Sequence, residues 1–142
     1  MNKANMNIAD VSVGQELPAI RVPVTITSVM ATAVATRDYQ PVHHDLMLAQ
    51  ANGSETVFTN THTAAGYLER LVMQWAGPNA FLKRLKFRMG GPNYAGDELI
   101  LKGKIIACDT DSRCVTVAAV GTNAHGDHVT GEVVVQLAEG IA

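Results

Sequence analysis

His62-Thr63-Ala64-Ala65-Gly66-Tyr67-Leu68-Glu69-Arg70-Leu71-Val72-Met73-Gln74-Trp75 decides the architecture of this 142-residue chain. Ala65, Leu68, Leu71, Val72 and Trp75 recur at intervals of three and four, as a helix buried along one face requires. Gly77-Pro78 stops it. Downstream the period changes to two. Leu85, Phe87 and Met89 alternate with Arg84, Lys86 and Arg88 across Phe81 to Met89, and apolar residues dominate Leu99 to Cys108, Val115 to Val120 and Val129 to Leu137. Turn residues separate these runs at Gly90 to Asp97, Asp109 to Ser112 and His125-Gly126-Asp127. Short connections join antiparallel strands. An α+β fold follows, in which one curved antiparallel sheet wraps one long central helix.

Upstream, residues 1–12 read as a flexible tail and residues 13–142 as a single domain. Gly14 to Pro18 forms a lead-in turn to a first strand around Arg21 to Thr27, where Val22, Val24 and Ile26 alternate with other residues. Ser28 is placed to cap a short helix from Val29 to Thr36. A second short helix spans His44 to Ala51 and closes at Asn52-Gly53. There is no internal repeat and no low-complexity tract.

Apolar content of 47% with 17% charged residues is that of a globular domain long enough to bury a core. No run approaches the roughly 20 apolar residues of a membrane span, and Met1 to Asp10 lacks the apolar core of a signal peptide. A cytoplasmic protein is the expectation. A formal charge of −2 argues against nucleic acid as a partner. Cys108 and Cys114 flank a polar turn and read as small core residues rather than a disulfide in a reducing compartment.

The chemistry concentrates between the first two helices, in Arg37-Asp38-Tyr39-Gln40-Pro41-Val42-His43-His44-Asp45. Pro41 fixes its own φ and pushes Gln40 toward extended backbone, so a turn rather than a helix separates Asp38 from His43. Such a turn can aim a carboxylate and an imidazole at one substrate atom, which acid-base catalysis needs. Taken alone, Asp38 could equally cap a turn and His43 could be a half-buried histidine bonded to a carbonyl. Asp45 suits the start of the second helix, where negative charge is favoured. No metal is assigned to Asp38, His43, His44 and Asp45, and His125 and His128 flank a Gly-Asp turn.

Asp38-Tyr39-Gln40-Pro41-Val42-His43-His44-Asp45 resembles the hydratase signature of the MaoC-like hot-dog proteins, with Gln40 where Asn is usual. Gly14 to Pro18, Gly66 to Arg70 with Trp75-Ala76-Gly77, and Arg88 with Pro92 to Asp97 resemble further segments of that family in order, so the resemblance covers most of the chain. Ala35 to Gln40, His43-His44-Asp45, Phe58-Thr59-Asn60 and Gly126-Asp127-His128 look like the small MaoC-like subunit of actinobacterial steroid side-chain dehydratases.

The resemblance implies a hot-dog fold and an (R)-specific enoyl-CoA hydratase, or 3-hydroxyacyl-CoA dehydratase, with no cofactor beyond the acyl-CoA substrate. It implies Asp38 and His43 as the catalytic pair, with Thr61 at the position where a family Gly binds the thioester oxygen through its N–H. Asn60 and His62 are the accompanying candidates for oxyanion binding or substrate positioning. Arg84, Lys86 and Arg88 share one strand face and could meet the phosphates of coenzyme A, or form a solvated stripe. Hot-dog units pair, so a homodimer or a heterodimer with a second MaoC-like chain is expected. Two alternatives stand beside this: a partner-dependent or non-catalytic subunit of a heteromeric dehydratase, and a hot-dog thioesterase, against which the retained Asp38 and His43 argue.

Overall fold

The structure, a computed structural model, describes residues 5–139. Three helices, α1 (Ile26–Ala35), α2 (Leu46–Ala51) and α3 (Thr61–Ala76), accompany five strands, β1 (Ile20–Pro23), β2 (Phe81–Met89), β3 (Glu98–Asp109), β4 (Cys114–Asn123) and β5 (Gly126–Gln136). The strands form one antiparallel sheet in the order β1-β3-β4-β5-β2. Interruptions of register in the β2–β5, β3–β4 and β4–β5 pairs bend the strands, as bulges do, and the sheet curves around α3. This is the hot-dog arrangement.

The face of α3 that turns to the sheet is Ala64, Leu68, Leu71, Val72, Trp75 and Ala76, with Tyr67 beside them. In the first turn Ala64, not Ala65, is the core residue, a shift of one position along an otherwise correct stripe. From the sheet Leu99, Leu101 and Ile105 of β3, Val115 and Val117 of β4 and Val133 and Val135 of β5 point inward. Gly103 stands among them because a Cβ there would lie 2.9 Å from Val117 Cγ1 and 3.2 Å from Leu71 Cδ2, so its absence lets α3 seat.

Two upstream boundaries differ from the reading of the sequence. The first strand ends at Pro23, and α1 starts one turn earlier than expected, capped by Thr25 rather than Ser28. Ser28 is instead the third helical residue and returns a hydrogen bond to the Thr25 N–H, so the two hydroxyls form a reciprocal capping box. The second short helix begins at Leu46 with Asp45 as its cap, Oδ1 accepting from the Leu48 N–H at 3.0 Å. Residues 1–4 of the expected tail lie outside the described residues. Residues 5–12 are laid on the domain: the Met6 N–H donates to the Ala76 carbonyl, and Met6, Ile8 and Val11 pack on the core. Cys108 and Cys114 are free thiols, half-buried and out of register, since Cys108 pairs with Val115. Among the described residues no helix is long and apolar enough to cross a membrane.

Candidate active site

The carboxylate of the site is delivered by the end of α1. Arg37 takes a left-handed conformation, φ 55°, and its N–H bonds the Val34 carbonyl while the Asp38 N–H bonds that of Ala33. That paired geometry closes a helix, commonly with glycine in the left-handed position. An arginine there is held against its preference at the residue that aims Asp38. Gln40 then runs extended, φ −60° and ψ 126°, as the residue before Pro41 should. Pro41–His43 is one turn of 3₁₀ helix, and it turns His43 inward.

His43 Nε2 lies 3.3 Å from Asp38 Oδ2. The other ring nitrogen, Nδ1, is 2.7 Å from the Phe58 carbonyl, which can only accept, so Nδ1 carries the hydrogen. In the neutral ring Nε2 therefore presents its lone pair to the carboxylate and the cavity. Burial pushes the Asp38 carboxyl up, but the Asn60 amide and the Gln40 N–H, with His43 and His62 nearby, outweigh it and hold Asp38 below the usual carboxylate range.

Asn60 supplies the strongest of those opposing contacts. Its Nδ2 donates to Asp38 Oδ2 at 2.9 Å and to Thr36 Oγ1 at 2.8 Å. Its Oδ1 accepts from the Thr63 N–H at 2.8 Å, so the same amide caps α3. Both amide hydrogens are thus engaged, and Asn60 has none left for a substrate oxygen. Its place among the oxyanion candidates is corrected to one of positioning: it ties the carboxylate to the start of the central helix.

Thr61 opens α3 with no left-handed strain, and its side chain is exposed at the rim of the cavity. Among the described residues its N–H and that of His62 have no acceptor, as expected of the first positions of a helix. The His62 side chain is exposed and does not line the cavity. Arg84, Lys86 and Arg88 do share one exposed face, on β2 at the edge of the sheet. They stand apart from Asp38 and His43, although Met89, next to Arg88, lines the cavity that holds the pair.

That cavity encloses about 550 Å³. Asp38, His43 and Thr61 line it together with Phe58, Tyr94, the Gly90–Asn93 segment and His128. The His43 ring meets Phe58 edge-on at 5.1 Å, and Phe58 meets Tyr94 edge-on at 6.2 Å, which gives the wall an aromatic surface. A Cβ on Gly90 would lie closer to the Asp127 carbonyl than a side-chain carbon can, so glycine lets this loop lie against the start of β5. Among the described residues no three His, Cys, Asp or Glu side chains converge on one point as metal ligands would.

No family model matches the chain. A curated relative does: the 3-oxo-4,17-pregnadiene-20-carboxyl-CoA hydratase beta subunit of Mycobacterium tuberculosis is 42% identical over 121 residues, covering 85% of this chain and 92% of the relative. The chain belongs to the MaoC-like hot-dog hydratase family. Solved structures share the fold. A chain of the ChsH1-ChsH2 complex from Mycobacterium tuberculosis superposes with a TM-score of 0.85 at 40% identity, covering 89% of this chain and 98% of that one. The (R)-hydratase from A. caviae involved in PHA biosynthesis shares the fold, with a TM-score of 0.82 at 23% identity over 91% of this chain and 98% of its own.

Proposed function

We propose that this MaoC-like chain adds water to, or removes it from, the α,β double bond of an acyl-CoA thioester, with Asp38 and His43 as its acid-base pair. The observation that carries the reading is the single ring nitrogen left to act: Nδ1 is committed to Phe58, and Nε2 faces both the carboxylate and the cavity.

In the hydration direction a water held by His43 Nε2 and Asp38 gives a proton to Nε2 as its oxygen bonds to the β-carbon. The π electrons move to the α-carbon and the thioester oxygen. The Thr61 N–H, at the positive end of α3, is available to stabilise that enolate. The proton gained by His43, passed directly or through Asp38, then goes to the α-carbon, and the pair returns to its starting state. One water is consumed. Dehydration is the reverse. No cofactor enters this scheme.

The bulky steroid acyl group in the name of the 42% identical relative makes a sterol-derived enoyl-CoA the substrate to try first. The aromatic wall of Phe58 and Tyr94 suits a flat, apolar acyl group. The cationic stripe Arg84, Lys86 and Arg88 is proposed to meet coenzyme A near the rim. We further propose that the chain works in the cytoplasm, joined to a second MaoC-like chain. Three features support a partner: β2 ends the sheet with an unpaired edge among the described residues, α1 exposes Ile26, Met30 and Val34 along one stripe, and α2 exposes Leu46, Met47 and Leu48. Exposed apolar side chains grouped on short helices suit an interaction surface.

The test is loss of the conjugated enoyl absorbance of crotonyl-CoA and of a steroid enoyl-CoA, with the chain alone and with a co-expressed second MaoC-like subunit. Asp38→Asn and His43→Ala should each lower turnover by about 10² to 10⁴-fold. Wild-type turnover unchanged in both variants would overturn the assignment.

A further inference from the structure

Between the two residues that hold the acid-base pair stands a third, Thr59. Its neighbour on one side, Phe58, accepts from His43 Nδ1, and its neighbour on the other, Asn60, donates to Asp38. Thr59 is 4% exposed, lines the cavity and is held by two residues from elsewhere in the chain. Its N–H donates to the Asn93 carbonyl at 3.1 Å, and its Oγ1 accepts from Asn93 Nδ2 at 3.2 Å. The same Oγ1 lies 3.5 Å from His128 Nε2.

The direction of every bond in this group can be assigned. His128 Nδ1 is 2.7 Å from the Gly91 carbonyl, an acceptor, so Nδ1 carries the hydrogen and Nε2 of the neutral ring accepts. The Thr59 hydroxyl therefore receives from Asn93 and is turned toward His128 Nε2, to which it makes a long, weak donation. Asn123 Nδ2 donates to Asn93 Oδ1 at 3.1 Å, which fixes the Asn93 amide the right way round. Asn93 is fully buried and His128 is 2% exposed. Three buried polar side chains in one satisfied network cost desolvation that apolar residues would avoid, and what they give in return is a single geometry.

We infer that Thr59, clamped by Asn93 and His128, is a positioning residue that sets the distance between His43 and Asp38 through the Phe58–Asn60 strap. The inference rests on the reading of Asp38 and His43 as the reacting pair. Displacing Thr59 moves the Phe58 carbonyl and the Asn60 amide together, so both members of the pair lose their registration at once. Misplacement by about 1 Å is enough to cost roughly 100-fold in rate.

Thr59→Val keeps the shape of the side chain and removes the hydroxyl, whereas Thr59→Ser keeps the hydroxyl. Turnover is measured on the active assembly, alone or with its second subunit. In Thr59→Val kcat should fall by about 10- to 100-fold with KM within about threefold of wild type, and Thr59→Ser should recover most of that loss. On the chain alone, long-range ¹H–¹⁵N spectra of the histidine rings should show the His43 Nδ1–H signal displaced in Thr59→Val and restored in Thr59→Ser. An unchanged kcat and His43 signal in Thr59→Val overturns the inference. So does equal loss in both variants with a matching fall in Tm, which would make Thr59 merely structural. Asp38→Asn and His43→Ala run beside them: if those two are also fully active, the assignment of the pair falls, and if they alone are inactive, only the positioning role falls.

Discussion

Asn60 Nδ2 reaches Asp38 Oδ2 at 2.9 Å while Asn60 Oδ1 takes the Thr63 N–H at 2.8 Å, so one amide joins the carboxylate of the site to the first turn of the central helix. The carboxylate comes from the end of α1, and His43 comes from the 3₁₀ turn after it. Those short segments give the core cluster only Val29 and, packed against it, Val42, fewer residues than α3 contributes. The placement of the pair is thus referred to α3, whose one face is buried against the sheet.

The two jobs of Asn60 separate by substitution. Asn60→Ala removes the cap and the donor to Asp38, and should cost about 1 kcal/mol, or roughly 2–4 °C in Tm, together with turnover. Asn60→Asp keeps an acceptor for the Thr63 N–H but sets a second carboxylate beside Asp38. Asp38 should then ionise at higher pH, because like charges resist a second ionisation, and Tm should fall at neutral pH and recover as the pair takes up a proton in acid. The acid limb of the pH–rate profile should then move upward. Asn60→Ala with wild-type turnover would show that Asp38 needs no anchor.

His128 gives a dependence of stability on pH. Burial pushes its imidazole below the ordinary histidine range, against the Gly91 carbonyl and the Asp97 carboxylate, which both favour the charged ring. The unfolded chain therefore binds the proton more readily than the folded one. The stability this histidine contributes is complete above the ordinary value of 6.5 and is lost as pH falls from there through its folded value. Thermal melts from pH 7.5 to 5 should show that loss, and His128→Gln should flatten the profile over the same interval. An equal slope in both proteins would assign the loss to other groups.

Much of this was legible in the sequence because it is written in local patterns. The stripe from Leu68 to Trp75 and the alternation in each later strand fix which faces are buried, and with short loops they leave one helix and one antiparallel sheet. The Pro41 turn between Asp38 and His43 was legible for the same reason: one residue's φ restriction sets its neighbour's conformation. The roles of Asn60, Thr59 and His128 were not. Asn60 meets Asp38 across 22 positions and Thr59 meets His128 across 69, separations over which no periodicity carries information. Asn directly before a long helical pattern does signal a cap, and that signal could have turned Asn60 from an oxyanion donor into an anchor. At the start of α1 the cap went to Thr25 rather than Ser28 because both hydroxyls take part in one reciprocal box, and single-residue propensity cannot say which of them is outside the helix.

The oxyanion role of Thr61 can be tested by removing one hydrogen. Its N–H is unpaired at the first position of α3, and its side chain makes no hydrogen bond among the described residues. Proline is well suited to that position, since the missing N–H breaks no helical bond and its φ is already helical. The preceding Asn60 has φ −87° and ψ 172°, the extended conformation a proline demands of its predecessor. Thr61→Pro should therefore fold with nearly unchanged Tm and still lose about 10² to 10³-fold in kcat, the usual cost of one oxyanion donor. Thr61→Ala and Thr61→Gly keep the N–H and should keep turnover. Affinity for a saturated acyl-CoA, which forms no enolate, should be the same in all three, and a loss confined to Thr61→Pro would show the ring obstructing the cavity. Full turnover in Thr61→Pro would move the oxyanion to another donor, and the His62 N–H, also unpaired, is the next along the helix.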